Sequence, residues 1–238
     1  MSLREEIINK TKEILDTQFE VEDVGYVPDI SNSKLTFGNT GLQFESTVLY
    51  IDMRDSTEIL NKHNNPVVAK IHMVYFHALV KIVKELEGDV RSFNGDSLLV
   101  FFQGTTKQSL NNAVKAAMKI KYMLSDKTNG INGYLEKYSA INFGIGLDDG
   151  NVLCTKIGLA KDANKQDLIW ISNAVNKSVK ISDECQLPYS IGISANVYLN
   201  LLDDLKYHNG YNMWQSRNFQ YNGKTEQYYV TNYHWTVE

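Results

Sequence analysis

The first 43 residues combine a helical pattern of apolar positions with a polar stretch. Residues 3–19 predict an amphipathic helix that packs on the body of the protein or on a second subunit, because apolar residues recur there at roughly helical spacing between charges (Ile7, Ile8, Ile14 and Leu15). Residues 21–43 are polar and include Pro28 and several Asn, Ser and Gly residues, which predicts a connecting loop.

A strand, a long helix and a hairpin follow. The β-branched and aromatic run TVLYI at residues 47–51 predicts a buried strand. Helical spacing then continues to residue 86, with a break near Pro66 and an end at Gly88. Two short runs, 89–93 and 97–102, are predicted strands and flank Asn94-Gly95-Asp96. Asn-Gly between two strands is a strong hairpin signal, so these runs predict paired strands.

The apolar positions of the C-terminal part alternate between helix-like and strand-like spacing. The predicted elements are a helix at 110–124, strands at 140–147 and 152–157 joined by a turn at 148–151, a strand at 168–171, a helix at 174–185 with Asn173 as its cap, a strand at 189–193, a helix at 195–202 and a hairpin of 214–221 with 226–231. This order predicts an α+β fold of the ferredoxin-like βαββαβ type, an antiparallel sheet with helices packed on one face.

Composition and charge exclude several classes of protein. The 238 residues carry a net charge of −4 with both signs interspersed, and no basic tract marks a nucleic-acid site. The two cysteines are too few for a disulfide framework and form no CxxC pair. The N-terminus has no apolar signal core, and the longest apolar run, residues 98–102, is too short to span a bilayer. We therefore expect a cytoplasmic protein that binds neither membranes nor nucleic acid.

Two aspartates sit where strands meet turns. Asp52 follows the strand at 47–51, and Asp96 lies in the predicted hairpin turn. Carboxylates that converge from neighbouring strands suit hard cations such as Mg²⁺ or Mn²⁺. An Asp beside Gly is also ordinary turn chemistry, so neither residue alone establishes a metal site.

Five segments resemble the motifs of class III adenylate and guanylate cyclases, in order, from about residue 46 to residue 230. The first has a hydrophobic strand, an aspartate and a Thr five residues later, as Asp52 and Thr57 have here, and the second has the Gly-Asp pair that Asp96 completes. The segments are TVLYIDMRDSTEIL, EGDVRSFNGDSLLVFF, INFGIGLDDGNVLCTKIG, SNAVNKSVKIS and NGKTEQYYV. The resemblance implies a nucleotidyl cyclase, in which a 3′-hydroxyl attacks the α-phosphorus and pyrophosphate leaves.

The resemblance also implies a role for individual residues. Asp52, Asp96 and the Met53 carbonyl would bind two metal ions, and the turn from Arg54 through Asp55 and Ser56 to Thr57 would offer backbone amides to a triphosphate. Asn176 would orient the ribose, or it is a helix-face residue bonded to backbone. Lys180 stands where the family usually has a charge-stabilising Arg, and Lys is a point charge and not a planar fork. Lys224 would reach the terminal phosphates, or it is a solvated turn residue.

The positions that read a purine base in this family differ here. They correspond to Ser92, beside Arg91, and to Ile169, beside Trp170, so hydrogen bonding to adenine would be weak. The segments YIDMRDST and VNKSVK resemble those of the pyrimidine cyclases of bacterial Pycsar anti-phage systems, which make cyclic UMP or cyclic CMP for a separate effector protein. UTP is favoured over CTP only by that resemblance. Tyr50 would face the base, with plain core packing as the alternative for it and for Trp170.

The resemblance further implies a homodimer whose two sites lie between subunits, with the metals held by one chain and Asn176 supplied by the other. Arg54 would contact a base or phosphate oxygen, or form a salt bridge.

We divide the chain into an N-terminal helix and loop, residues 1–43, and a catalytic domain, residues 44–238. Three other interpretations stay open: a purine cyclase with an altered pocket, a catalytically weak nucleotide-sensing domain and a polymerase-like palm domain.

Overall fold

The computed structural model describes residues 1–32, 34–104, 106–159 and 162–237. Its helices are α1 Leu3–Asp16, α2 Ser56–Lys62, α3 Asn65–Glu85, α4 Lys107–Ser125, α5 Ile131–Tyr134, α6 Asn173–Asp183, α7 Ala195–Asn200 and α8 Asp203–Lys206. Its strands are β1 Glu20–Asp23, β2 Thr40–Arg54, β3 Asp89–Asn94, β4 Ser97–Gln103, β5 Asn142–Gly158, β6 Gln166–Ile171, β7 Ile191–Ser194, β8 Tyr207–His208, β9 Tyr211–Asn212, β10 Gln215–Tyr221 and β11 Lys224–Thr231. The α+β class is confirmed.

Local capping explains where several helices begin. The Ser2 side chain accepts from the Glu5 N–H, and Glu5 completes a capping box at the start of α1. Asn64 caps α3 by accepting from the Val67 N–H, with Pro66 in the first turn, where its missing N–H costs nothing. The cap of α6 is Ser172, whose hydroxyl accepts from the Ala174 N–H. The prediction of Asn173 as that cap was wrong by one residue.

Two long strands, β2 and β5, form the centre of the main sheet. They pair antiparallel along almost their whole length, from Leu42 opposite Cys154 to Arg54 opposite Asn142. The strand order is β10-β11-β7-β5-β2-β4-β3, with β1 paired to β2 and β6 paired to β5. The β1–β2 and β5–β7 pairs are parallel, so the sheet is mixed and the expectation of an antiparallel sheet is corrected.

Tertiary pairing overrides two local turn signals. The polar run at 148–151 does not form a hairpin, because its neighbours continue to pair with β2, Asp149 opposite Thr47 and Asn151 opposite Glu45. The predicted loop at 21–43 contains β1 and the first residues of β2, which pair with each other. Both ends of this segment are therefore part of the sheet, and the division of the chain at residue 44 stays a prediction.

The sheet buries apolar side chains on both faces, because successive residues of β2 point in opposite directions. Leu49, Ile51 and Met53 belong to the larger core, shared with α3 and α4. Leu42, Phe44 and Val48 point the other way, into a core shared with the start of α6. The expectation that helices cover only one face is therefore wrong.

One helix in the described part of the chain is long and apolar enough to cross a membrane. This helix is α3, and only its length and composition give it that property. Its residues Ile71, Tyr75 and Leu79 are fully buried in the larger core. About a third of its apolar stretch is buried (33%), while Met73 and Val74 are exposed.

Candidate active site

The strand register brings the two predicted metal ligands together. Asp52 lies near the end of β2, directly opposite Ser97, the first residue of β4. Asp96 precedes Ser97 in the tight turn after β3, where Gly95 has a φ of 64°, a conformation that glycine adopts without strain. The Met53 N–H donates to the Asp96 carbonyl oxygen at 3.4 Å. The turn is thus tied to the end of β2, and the carboxyl groups face the same small region.

The electrostatics of Asp52 report the same proximity. Burial, the nearby Asp96 charge and a side-chain hydrogen bond with Asp96 together raise the pKa of Asp52 to about 6, while Arg54 opposes the rise. Asp183, at the end of α6, adds a smaller repulsion. Two carboxylates that repel each other in a half-buried site are stabilised by an added cation.

The carboxylate oxygens of Asp52 and Asp96 are ligands of the kind that hard divalent cations prefer. The described residues contain no group of three or more His, Cys, Asp or Glu side chains that could enclose a metal. A pair of carboxylates instead suits a cation that keeps water or phosphate oxygens among its ligands, as Mg²⁺ does. The hydroxyl of Tyr75 on α3 is fully buried without a hydrogen-bond partner. Burial and the charges of Asp52 and Asp96 raise its pKa well above the usual range, so an orphaned donor lies near the same site.

Arg54 is held by groups within the chain. Its Nη1 donates to Asp52 Oδ2 at 2.6 Å, its Nη2 donates to the Ser182 carbonyl, and its Nε donates to the Cys185 carbonyl at 3.4 Å. The side chain is 18% exposed. These contacts match the salt bridge that the sequence left open as an alternative for Arg54. They do not support its predicted contact with the substrate.

Glycines on β5 allow α6 to lie directly on the sheet. A Cβ atom at Gly146 would overlap the Ser178 carbonyl and the Ser182 N–H, and one at Gly144 would overlap the Ser182 and Cys185 carbonyls. The helix backbone therefore approaches closer than any side chain would permit. This role was not predicted from the sequence, although the GIG pattern at residues 144–146 was a usable signal.

The helix α6 presents two predicted catalytic residues to the outside. Asn176 and Lys180 are four residues apart and exposed, so they share one face of the helix. The adjacent Lys177 points elsewhere, pairing with Glu226 at 2.7 Å and lying 5.1 Å from the Tyr221 ring centroid. Lys177 was not among the residues predicted from the sequence, and its ion pair joins α6 to the terminal hairpin.

The turn after β2 and the terminal hairpin hold the predicted phosphate contacts. Asp55 has a φ of 60° and precedes the first residue of α2 without a side-chain capping bond. Asp55 and Thr57 are exposed, and Ser56 is half-buried. Lys224 is exposed at the start of β11, after a turn in which Asn222 has a φ of 50°. The predicted terminal hairpin is confirmed.

The predicted base-reading residues divide between two environments. Leu99 lies opposite both Tyr50 and Ser92 in the sheet, so these side chains share the α6 face in one row. Tyr50 is half-buried near Asp52 and Asp96, whose charges, after burial, raise its pKa. Trp170 packs on Phe101 and Phe44, with ring centroids 4.7 and 6.1 Å away, which is the core packing left open by the sequence.

Arg91 and Ile169 lie apart from that row. Arg91 donates to the carbonyls of Pro28 and Val27 at 2.7 and 2.9 Å and to Asp89 at 2.9 Å. These bonds hold the segment before β2, and they give no support to a substrate contact. Ile169 is exposed and, as the neighbour of Trp170 on β6, points to the opposite face.

Comparison with known proteins agrees with the geometry. No family model matches the chain. It is 29% identical to a uridylate cyclase of Xanthomonas perforans and 26% identical to one of Burkholderia cepacia, with 100% of each chain covered in both cases. The solved guanylyl cyclase Cya2 matches with a TM-score of 0.65 and 21% identity over 79% of this chain and 92% of its own. The resemblance to class III nucleotidyl cyclases is confirmed, and with it the fold.

Proposed function

We propose that this chain, which has the class III cyclase fold and full-length relatives named uridylate cyclase, is itself a pyrimidine nucleotide cyclase. The substrate would be UTP, with CTP second, and the products would be the 3′,5′-cyclic monophosphate and pyrophosphate. The observation that carries the proposal is the close pair of carboxyl groups of Asp52 and Asp96 at one end of the central strands. Charge repulsion inside that pair favours a site for cations.

Asp52, Asp96 and the Met53 carbonyl would hold Mn²⁺ or Mg²⁺. Two such ions, when bound, lower the pKa of a ribose hydroxyl and neutralise a triphosphate. The protein's own contribution is to hold the nucleotide so that its 3′-oxygen faces the α-phosphorus. In the reaction a new P–O bond forms at that phosphorus, its bond to the β-phosphate oxygen breaks, and the hydroxyl proton passes to solvent.

Four groups of this chain would position the nucleotide. Asn176 would orient the ribose through its amide, and Lys180 one turn later would stabilise the charge that develops at the phosphorus. The amides of residues 55–57 and the ammonium group of Lys224 would bind the phosphates. Exposure of Asn176, Lys180 and Lys224 supports this assignment, because each is free to meet a nucleotide or a second subunit.

The preference for a pyrimidine follows from the row of Tyr50, Leu99 and Ser92. A phenol ring half-buried beside the carboxylates would fill space that a purine needs, and a smaller base would leave room for it. Ser92 offers one short hydroxyl for base recognition. Trp170 would support Tyr50's face of the sheet from within the core. Ile169 and Arg91 would contribute to base recognition only if a second subunit or the substrate changed their surroundings.

We infer a homodimer in which each site combines Asp52 and Asp96 of one subunit with Asn176 and Lys180 of the other. Exposure of Asn176 and Lys180 on the outer face of α6 supports this division. Following the resemblance to Pycsar cyclases, the cyclic nucleotide would be a second messenger of antiviral defence. It would be made in the cytoplasm and sensed by a separate effector protein.

Activity and site sharing can be tested together. Purified protein is incubated with UTP and Mn²⁺, and cyclic UMP is quantified beside the variants Asp96→Asn and Asn176→Ala. Each variant alone is expected to be inactive while its melting profile stays cooperative. A mixture of the two should recover roughly a quarter of the wild-type activity, because half of the dimers then contain one intact site. Recovery of none would contradict shared sites, and activity in Asp96→Asn would contradict the metal assignment.

The sensing-domain alternative has one observation in its favour, namely that Lys180 stands where a planar guanidinium is usual. A pure sensor would bind UTP with Mn²⁺ and yield no pyrophosphate. Measuring pyrophosphate release with the wild-type protein separates the two functions.

A further inference from the structure

Arg54 connects the predicted metal strand with the end of the predicted catalytic helix. It lies two residues after Asp52 on β2, so both side chains point to the face on which α6 lies. One edge of its guanidinium bonds to Asp52, and the other bonds to the carbonyls of Ser182 and Cys185. These carbonyls belong to the last turn of α6 and the residues just after it.

The local geometry is built around this side chain. Gly144 lies opposite Asp52 in the sheet, and a Cβ atom there would overlap Arg54 Nη2 as well as the Ser182 and Cys185 carbonyls. A side chain at residue 144 would thus displace the guanidinium. The absence of a side chain at that point leaves room for three hydrogen-bonding partners at once.

The chemistry of the partners favours an arginine. The last carbonyls of a helix have no partner within the helix, and a positive charge there interacts favourably with the helix dipole. A planar guanidinium has donors on two edges and can face the carboxylate with one and those carbonyls with the other, whereas the ammonium of a lysine is a compact point charge. Arg54 and Asp52 are 18% and 23% exposed, so water screens this pair less than a surface ion pair.

We propose that Arg54 is a positioning residue that fixes the Asp52 carboxylate relative to α6 and does not bind the nucleotide. This inference rests on the proposed function, because α6 carries Asn176 and Lys180. In the metal-free protein the guanidinium also serves as the counter-ion of the Asp52–Asp96 pair. Arg54 therefore acts on catalysis through the placement of other groups.

The test uses the full-length protein with two substitutions and a control. Arg54→Met removes the charge and the hydrogen bonds, Arg54→Lys keeps only the charge, and Arg4→Met changes an exposed arginine on α1. Thermal unfolding is recorded without metal and during a titration with Mn²⁺ alone. The kcat and KM for UTP are then measured at saturating Mn²⁺.

A positioning role predicts a separation of kcat from KM. Arg54→Met and Arg54→Lys should each lose roughly 100-fold in kcat, with KM within about threefold of the wild-type value, because a shift of about 1 Å in catalytic groups has that effect. Arg54→Met should also melt lower without metal and gain more from Mn²⁺ than the wild type does, since the cation then supplies the missing countercharge. Arg4→Met should match the wild type in all readouts.

Two results would overturn the proposal. A KM that rises 10-fold or more at unchanged kcat and unchanged metal-free melting would make Arg54 a substrate contact. Wild-type kcat in Arg54→Lys would show that a point charge is enough. If Arg54→Met does not fold, the lysine variant alone decides between these outcomes. The melting experiments need no turnover, so they test the inference even if the wild-type protein makes no cyclic nucleotide.

Discussion

The close approach of α6 to β5 makes Gly146→Ala the most informative single substitution. A methyl group at residue 146 would overlap the Ser178 carbonyl oxygen and the Ser182 nitrogen, well inside the 3.0 Å below which real Cβ contacts are essentially never found. Both obstacles are backbone atoms of one helix, so α6 must move away from the sheet by at least about 1 Å. Asn176 and Lys180 would move with it. A displacement of that size costs on the order of 100-fold in rate when catalytic geometry is tight.

The assay compares kcat for cyclic UMP formation in Gly146→Ala with that in Gly25→Ala, whose added methyl group would meet its nearest atom only at 3.8 Å. We expect a loss of about 100-fold in the first variant and none in the second. Overpacking should also destabilise Gly146→Ala by about 1–3 kcal/mol, measured by urea unfolding. A folded Gly146→Ala variant with near wild-type kcat would refute the idea that the close packing of α6 on β5 sets the catalytic geometry.

Three further predictions concern buried polar groups. Burial raises the pKa of Asp148 to about 6 from 3.8, so the group destabilises the fold above pH 6 and this effect disappears as the pH falls toward 3.8. Asp148→Asn should therefore gain up to about 3 kcal/mol in urea unfolding at pH 8 and nothing at pH 3.5; an equal gain at both would contradict this. Burial lowers the pKa of Lys121 to about 8 from 10.5, so its destabilising effect is full below pH 8 and is lost as the pH rises toward 10.5. Lys121→Met should gain up to about 3 kcal/mol at pH 7, reduced by the lost hydrogen bond to the Pro188 carbonyl, and a clear loss would show that this bond dominates. Tyr75→Phe should melt higher without metal, because an unpartnered buried hydroxyl is removed, yet should need about 10-fold more Mn²⁺ for half-maximal stabilisation. An unchanged Mn²⁺ requirement would mean that this hydroxyl does not serve the metal site.

Local sequence patterns predicted most of the elements around the site. The turn at Asn94-Gly95-Asp96 and the terminal turn at Asn222-Gly223 contain residues with positive φ, which their residue types favour strongly. The proline at residue 66 likewise placed the break between α2 and α3. These features are decided within a few residues, so a single sequence contains enough information for them.

The errors came from pairing between distant residues. The polar run 148–151 has the composition of a turn, but both of its flanks continue to pair with β2, and a local reading cannot detect that partner. The same holds for β1, whose partner begins 20 residues later in the register of Glu20 with Thr40. The helix-to-sheet contact at Gly144 and Gly146 was missed for a related reason. A glycine pattern shows its purpose only when the helix above it is known.

The candidate site was predictable in part. Motif resemblance identified Asp52 and Asp96, and the structure brings these two carboxyl groups together. The motif resemblance could not predict that Arg54 and Arg91 donate hydrogen bonds to main-chain carbonyls, because a long flexible side chain can reach many partners. Their contacts depend on where Ser182, Cys185 and the segment before β2 lie. That information exists only in the folded chain.

A competition among substrates tests most directly whether this chain is a pyrimidine cyclase. The protein is incubated with Mn²⁺ and equal concentrations of ATP, GTP, CTP and UTP, and all cyclic products and pyrophosphate are quantified. We expect cyclic UMP to dominate, cyclic CMP to come second and Asp52→Asn to yield neither. Predominant cyclic AMP or cyclic GMP, or a well-folded protein that releases no pyrophosphate from any of the four, would rule out a pyrimidine cyclase.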